Sequence, residues 1–135
     1  MGDKVIVTGG AGVIGRAICR RLVKSGYRPI AADLPNALHN SDFGADRIDL
    51  VAMDVSDRDS IAEAVTSVVA DGETVAGLVN CAGILRDSFL GELDEVKLEL
   101  MFQVNIAGMA RVTDVVAPLL TEGSAIVNIG SLTGH

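Results

Sequence analysis

Thr8-Gly9-Gly10-Ala11-Gly12-Val13-Ile14-Gly15 follows the run Lys4 to Thr8 (KVIVT) and leads into Ile18 and Leu22. The run before it is short, apolar and β-branched, and reads as a buried strand. From about Gly12 the spacing is helical, with Ile14, Ile18 and Leu22 on one face and Gly26 past the end. A strand, a glycine-rich turn and a helix in that order suit an anion. Glycine lets a phosphate come close to the main chain, and the helix N-terminus offers unpaired N–H groups with a partial positive charge. A P-loop is excluded, because Arg16-Ala17 stands where Lys-Ser/Thr is required.

The pattern repeats outward from this turn. Arg28 to Asp33, Ile48 to Asp54, Val75 to Asn80 and Ala125 to Ile129 read as four more strands. Leu34 to Arg47 is polar and weakly patterned, with room for one helical turn. Ser56-Asp57-Arg58-Asp59 resembles a capping box before Ile61, Ala64, Val65 and Val68, which have helical spacing. A long helix is expected from about Asp94, ending or kinking near Pro118. Its apolar stripe runs through Leu98, Met101, Phe102, Met109, Val112, Val116 and Leu119. Strands alternating with helices imply right-handed crossovers and a Rossmann-type doubly wound parallel sheet. The expected strand order is 3-2-1-4-5, residues 1–135 forming one nucleotide-binding domain with its ligand at the carboxyl ends of the strands.

The composition sets bounds. With 49% hydrophobic residues but only 3% aromatics, the core must be aliphatic. A net charge of −7 argues against nucleic acid or an anionic membrane surface as partner. No apolar run approaches the ~18 residues of a membrane span. Ile6 stands where a myristoylation signal needs Ser or Thr. Cys19 and Cys81 form neither a disulfide framework nor a metal pattern, so both read as small core residues in a cytoplasmic protein. His39 and His135 lack metal-ligand spacing.

Asp33 closes the second strand about 20 residues after the turn, where a carboxylate accepts hydrogen bonds from ribose hydroxyls and repels a 2′-phosphate. Leu34 follows it, so no adjacent base is offered to that phosphate. NAD is therefore the expected cofactor. Asn105 falls on the apolar stripe of the long helix, so its amide should face the sheet and needs a main-chain or water partner.

At this point the chain resembles the short-chain dehydrogenase/reductase family along its whole length. Asn80-Cys81-Ala82-Gly83 matches the family's Asn-Asn-Ala-Gly segment, and Asp54-Val55 the pair bordering its adenine pocket. Asn105 falls at its helix asparagine, which anchors a water in a proton relay. Ser131, after Ile126-Val127-Asn128-Ile129-Gly130, falls at its catalytic serine. The resemblance implies that Thr8, Gly9, Gly12, Val13, Ile14, Gly15, Asp33, Leu34, Asp54, Val55, Asn80, Ala82 and Gly83 hold the cofactor. Ser131 would donate a hydrogen bond to the oxygen of a small-molecule alcohol or ketone. It also implies a homo-oligomer for the full-length enzyme. In one departure, Val13 replaces the middle glycine of the single-domain pattern. Gly12 instead gives the spacing of the extended branch, whereas Asn-Cys-Ala-Gly points back to the single-domain one.

The family's general acid/base pair, Tyr-x-x-x-Lys, does not occur here. The one tyrosine is Tyr27, with Ala31 four residues later. The reading is of a sequence that stops before that pair, with apolar surface uncovered around Ile126, Val127 and Ile129. Two alternatives stay open. Gly83-Ile84-Leu85-Arg86-Asp87 resembles the loop of 3-oxoacyl-carrier-protein reductases, and a non-catalytic dinucleotide-binding module would also need no tyrosine.

Overall fold

A computed structural model describes residues 2–44, 46–85, 91, 92 and 94–131 of the chain. Five parallel strands form one sheet: β1 (Lys4–Thr8), β2 (Arg28–Asp33), β3 (Asp49–Ala52), β4 (Val75–Asn80) and β5 (Leu120–Asn128). Their order is β3-β2-β1-β4-β5, as the alternation of strands and helices predicts. The connecting helices are α1 (Val13–Lys24), α2 (Pro35–His39), α3 (Arg58–Val68), α4 (Glu95–Phe102) and α5 (Gly108–Val116).

Two-residue periodicity divides the core between the two faces of the sheet. Ile6 lies opposite Ile30 on β2 and Leu78 on β4, and all three are buried on the face covered by α3 and α5. Ile61, Ala64 and Val65 of α3 and Val112 and Val116 of α5 complete that layer. Val5 and Val7 point the other way with Ala31, Ala76 and Val79, against Ile18, Cys19 and Leu22 of α1. Burying each large aliphatic side chain contributes about 1.5–3 kcal/mol. The central strands can therefore be apolar on both sides, which is why β1, β2 and β4 were so distinct in sequence.

Four local expectations change. The capping residue of α3 is Asp57, one place later than the capping box implied, and its carboxylate accepts from the Asp59 and Ser60 N–H groups. Ser56 is drawn elsewhere, since its hydroxyl donates to Asp54 Oδ1 at 2.6 Å. β3 is shorter than Ile48 to Asp54 and largely exposed, because it is a sheet edge. β5 begins at Leu120 rather than Ala125. A register irregularity opposite Val75 and Gly77 absorbs the polar residues, with the Ser124 hydroxyl donating to the Val75 carbonyl at 2.9 Å.

The long helix starts beside Asp94 as expected, the aspartate capping it through the Val96 and Lys97 N–H groups. Near Pro118 it tightens into a short 3₁₀ turn over Ala117–Leu119. Its irregularity lies earlier, in a π-helical turn at Gln103–Ala107. The apolar stripe is covered only in its second half. Val112 and Val116 are fully buried, whereas Leu98 and Phe102 are 44% and 54% exposed, with Val96 and Ile106 exposed beside them.

Ile126, Val127 and Ile129 are exposed, and among the described residues β5 has a single strand neighbour, β4. An apolar strand with a free edge favours association. The 135-residue chain is expected to self-associate, its sedimentation coefficient rising with concentration, and Val127→Lys is expected to reduce that rise. A concentration-independent monomer before substitution would refute this.

Candidate functional site

The turn after β1 folds tightly against its own surroundings. Gly9 has φ +63°, and a Cβ there would lie 2.8 Å from Ala82 Cα. A Cβ on Gly15 would lie 2.1 Å from the Gly9 carbonyl oxygen. These glycines are required by the protein's own packing as much as by any ligand. Gly12 differs: it caps α1, is exposed, and its Cβ would meet only the Gly9 oxygen, at 3.3 Å. No side chain caps α1 and its first turn has no acidic residue, so the anion-attracting end is left for something else.

Beside the turn lies a cleft of about 360 Å³. The turn and first helical residues line it with Gly9, Gly12, Val13, Ile14 and Gly15; β2 gives Asp33 and Leu34, and the segment after β3 gives Met53, Asp54 and Val55. Cys81, Ala82, Gly83 and Ile84 after β4, with Val104, complete the wall. Every residue expected to hold a cofactor is thus gathered here except Thr8 and Asn80.

Those two lie behind the cleft. Thr8 is buried, and its hydroxyl oxygen accepts from the Cys81 and Ala82 N–H groups, each at 3.1 Å. Asn80 is buried too. Its amide nitrogen donates to Thr113 Oγ1 at 3.0 Å and to Asn128 Oδ1 at 2.9 Å, joining β4 to α5 and β5. Both belong to the framework that shapes the cleft. The partners Thr113 and Asn128 were missed in sequence. The pairing of Asn80 with Asn128 follows from register, since they face each other across β4 and β5.

Asp33 is held at both oxygens. Oδ2 accepts from the Ala11 N–H at 3.0 Å and Oδ1 from the Leu34 N–H at 2.8 Å. Asp54 is fixed similarly, Oδ1 accepting from the main chain and hydroxyl of Ser56. Among the described residues, no lysine or arginine lines the cleft.

Asn105 sits in the π-helical turn and does not line the cleft. Its amide pairs with the main chain of Ile84, Oδ1 accepting from the N–H and Nδ2 donating to the carbonyl, both at 2.8 Å. The need for a main-chain partner is met by the loop after β4. Ser131 is exposed and lies just beyond β5, whose end is tied to β4 by a hydrogen bond from the Ile129 N–H to the Asn80 carbonyl. It stands at the carboxyl end of the sheet but outside the cleft lining. Arg86, Asp87 and His135 lie outside the described residues.

Cys81, where the family motif has a second asparagine, lines the cleft as a free thiol. Burial raises its pKa, and the Asp33 carboxylate adds to the rise. Cys19, fully buried behind it, is pushed up to about 11, chiefly by burial. No group of three or more His, Cys, Asp or Glu among the described residues could hold a metal ion. No helix among them is long and apolar enough to cross a membrane.

A parallel sheet of this order, with a glycine turn and a cleft at the carboxyl ends of its strands, defines a doubly wound, Rossmann-type α/β protein. The short chain dehydrogenase family model matches residues 3–135, and the chain belongs to that family. It is 31% identical to the 3-oxoacyl-[acyl-carrier-protein] reductase FabG of Thermotoga maritima, over 98% of this chain and 57% of that protein. It is 33% identical to an acetoacetyl-CoA reductase of Cupriavidus necator, over 96% of this chain and 56% of the relative. A closed form of serine dehydrogenase complexed with NADP+ superposes with a TM-score of 0.84 at 29% identity, over 97% of this chain and 55% of that one. The chain spans a little over half the length of these relatives.

Alkylation of Cys81 should be slow at neutral pH, since only the thiolate reacts and its raised pKa keeps the thiolate scarce. Removing the neighbouring charge should lower that pKa. Asp33→Asn is therefore expected to speed iodoacetamide labelling of Cys81 severalfold at pH 8, followed by mass spectrometry. An unchanged rate would show that the carboxylate does not act on the thiol.

Proposed function

We propose that this chain is the cofactor-binding part of an NAD-dependent oxidoreductase that interconverts a secondary alcohol and a ketone. The observation that carries the cofactor choice is Asp33, whose carboxylate is fixed at the cleft by two main-chain N–H groups. With Asp54 also at the cleft and no lysine or arginine in its described lining, a 2′-phosphate finds only like charge. The residues suit a dinucleotide: Gly12 leaves the uncapped end of α1 open to a pyrophosphate, and the apolar side chains of Leu34, Met53 and Val55 suit an adenine ring. When bound, the cofactor supplies or accepts the hydride.

Ser131 is assigned to the substrate oxygen, where its hydroxyl would stabilise developing charge. Asn105 is assigned to holding the loop at Ile84, through its two-point pairing with that main chain. The apolar side chains exposed on α4 support assembly into a homo-oligomer, and two free cysteines support a cytoplasmic setting.

A second reading has its own support. The similarity to the Thermotoga maritima 3-oxoacyl-[acyl-carrier-protein] reductase and to an acetoacetyl-CoA reductase favours a 3-oxoacyl thioester as the ketone. Comparing a simple ketone with a 3-oxoacyl thioester as substrates of a chain extended through the family's Tyr-x-x-x-Lys segment would separate the two.

In direct titration, NADH is expected to bind the chain about tenfold more tightly than NADPH, the size of effect of one unfavourable charge contact at a half-buried carboxylate. Asp33→Ala should narrow the gap. Tighter binding of NADPH to the unsubstituted chain would overturn the cofactor assignment.

The same 135 residues are expected to reduce no ketone at a useful rate. General acid catalysis contributes about 10²- to 10⁴-fold, and no Tyr-x-x-x-Lys pair is present to provide it. Ser131-dependent turnover by the purified chain would contradict this.

A further inference from the structure

Between Gln103 and Ala107 the helix is wound as a single π-turn, looser than α4 before it and α5 after it. Such turns are rare, and they shift carbonyls away from the ordinary i→i+4 ladder. A π-turn carbonyl that bonds five residues on keeps a second lone pair, open to a side-chain donor. Arg111, on α5, reaches back to it. Its Nη1 donates to the Gln103 carbonyl at 3.2 Å and to the Val55 carbonyl at 3.5 Å, while Nη2 donates to Gln103 Oε1. The Gln103 amide nitrogen donates onward to Glu99 Oε1 at 2.8 Å.

Gly108 permits this arrangement. A Cβ there would lie 2.8 Å from Val55 Cγ2 and 3.1 Å from the Gln103 carbonyl oxygen. The π-turn can therefore press directly on the segment that walls the cleft. On its other side, Asn105 grips the N–H and carbonyl of Ile84. Val55 and Ile84 both line the cleft, and Arg111 does not.

We infer that Arg111 is a positioning residue whose guanidinium fixes the π-turn against Val55 and, through Asn105, holds the Ile84 main chain at the cleft. The planar fork suits the task, since a guanidinium presents several donors in fixed directions and serves three acceptors at once. An ammonium is a point charge on a flexible stem and cannot hold the same set in register.

Amide hydrogen exchange on the full chain tests this, with Ile84 as reporter and Ile30 as internal standard. Arg111→Met is expected to speed exchange at Ile84 about tenfold or more, the scale of a lost hydrogen bond to a charged group, and to leave Ile30 unchanged. Asn105→Ala should speed Ile84 by at least as much, and adding Arg111→Met to it should give no further increase. Arg111→Lys should restore part of the protection. If Arg111→Met does not fold, Arg111→Lys and Gln103→Ala carry the same comparison at lower cost to stability. Unchanged exchange at Ile84 overturns the inference, and so does equal acceleration at Ile84 and Ile30, which would make Arg111 a general brace. The step to the ligand rests on the reading of the cleft given above, and predicts severalfold weaker NADH binding in Arg111→Met. If the unsubstituted chain binds no NADH while Ile84 still responds selectively, the reading of the cleft fails and the positioning role stands.

Discussion

Thr8 ends the innermost strand with a hydroxyl whose oxygen takes two successive main-chain N–H groups, those of Cys81 and Ala82. β1 and β4 are neighbours in the sheet, so this contact joins the loops leaving both of them. Gly9 follows at a positive φ, packed so closely on Ala82 that no side chain fits between. The distance between two loops is thereby set by one oxygen and one missing methyl group. Everything lining the cleft on those loops, from Gly12 to Ile84, is hung from that junction. Removing the acceptor would strand two donors, at about 1–3 kcal/mol for each one buried.

The sheet was legible because its central strands obey one physical rule. β1, β2 and β4 are covered on both faces, so their apolar runs are continuous, and their limits in the structure coincide with the expected ones. Where that rule lapses, reading from sequence also lapses. β5 is exposed and carries Thr121 to Ser124, polar residues that periodicity assigns to a loop but that side-chain hydrogen bonds hold in the strand. Ser56 is a good helix cap by type, yet Asp54 captures its hydroxyl, a choice invisible in a four-residue pattern.

The cleft was legible to the same degree and for a related reason. Its walls come from strand ends, and strand ends are the points that glycine and aspartate mark in a sequence. Thr8 and Asn80 fall outside its lining, and their hydrogen bonds run to other strands and loops, a distinction that a motif does not record, since it says which residues occur together and not what each one touches. The π-turn could not be foreseen, since Gln103 to Ala107 carries no proline or glycine break. Its partners, Gln103 with Arg111 and Asn105 with Ile84, are 8 and 21 residues apart, contacts that one-dimensional spacing does not report.

Asp33 has a second employment beyond facing the cleft. Its Oδ2 accepts the N–H of Ala11, so the carboxylate at the end of β2 also tethers the middle of the turn after β1. The recognition proposed for Asp33 and its scaffolding thus fall on a single side chain, and evolution cannot retune one without disturbing the other. A lineage exchanging this aspartate for a small neutral residue would loosen the turn in the same step. Its descendants should carry a replacement acceptor for the Ala11 N–H, and changes at position 33 should be inherited in company with changes in the turn.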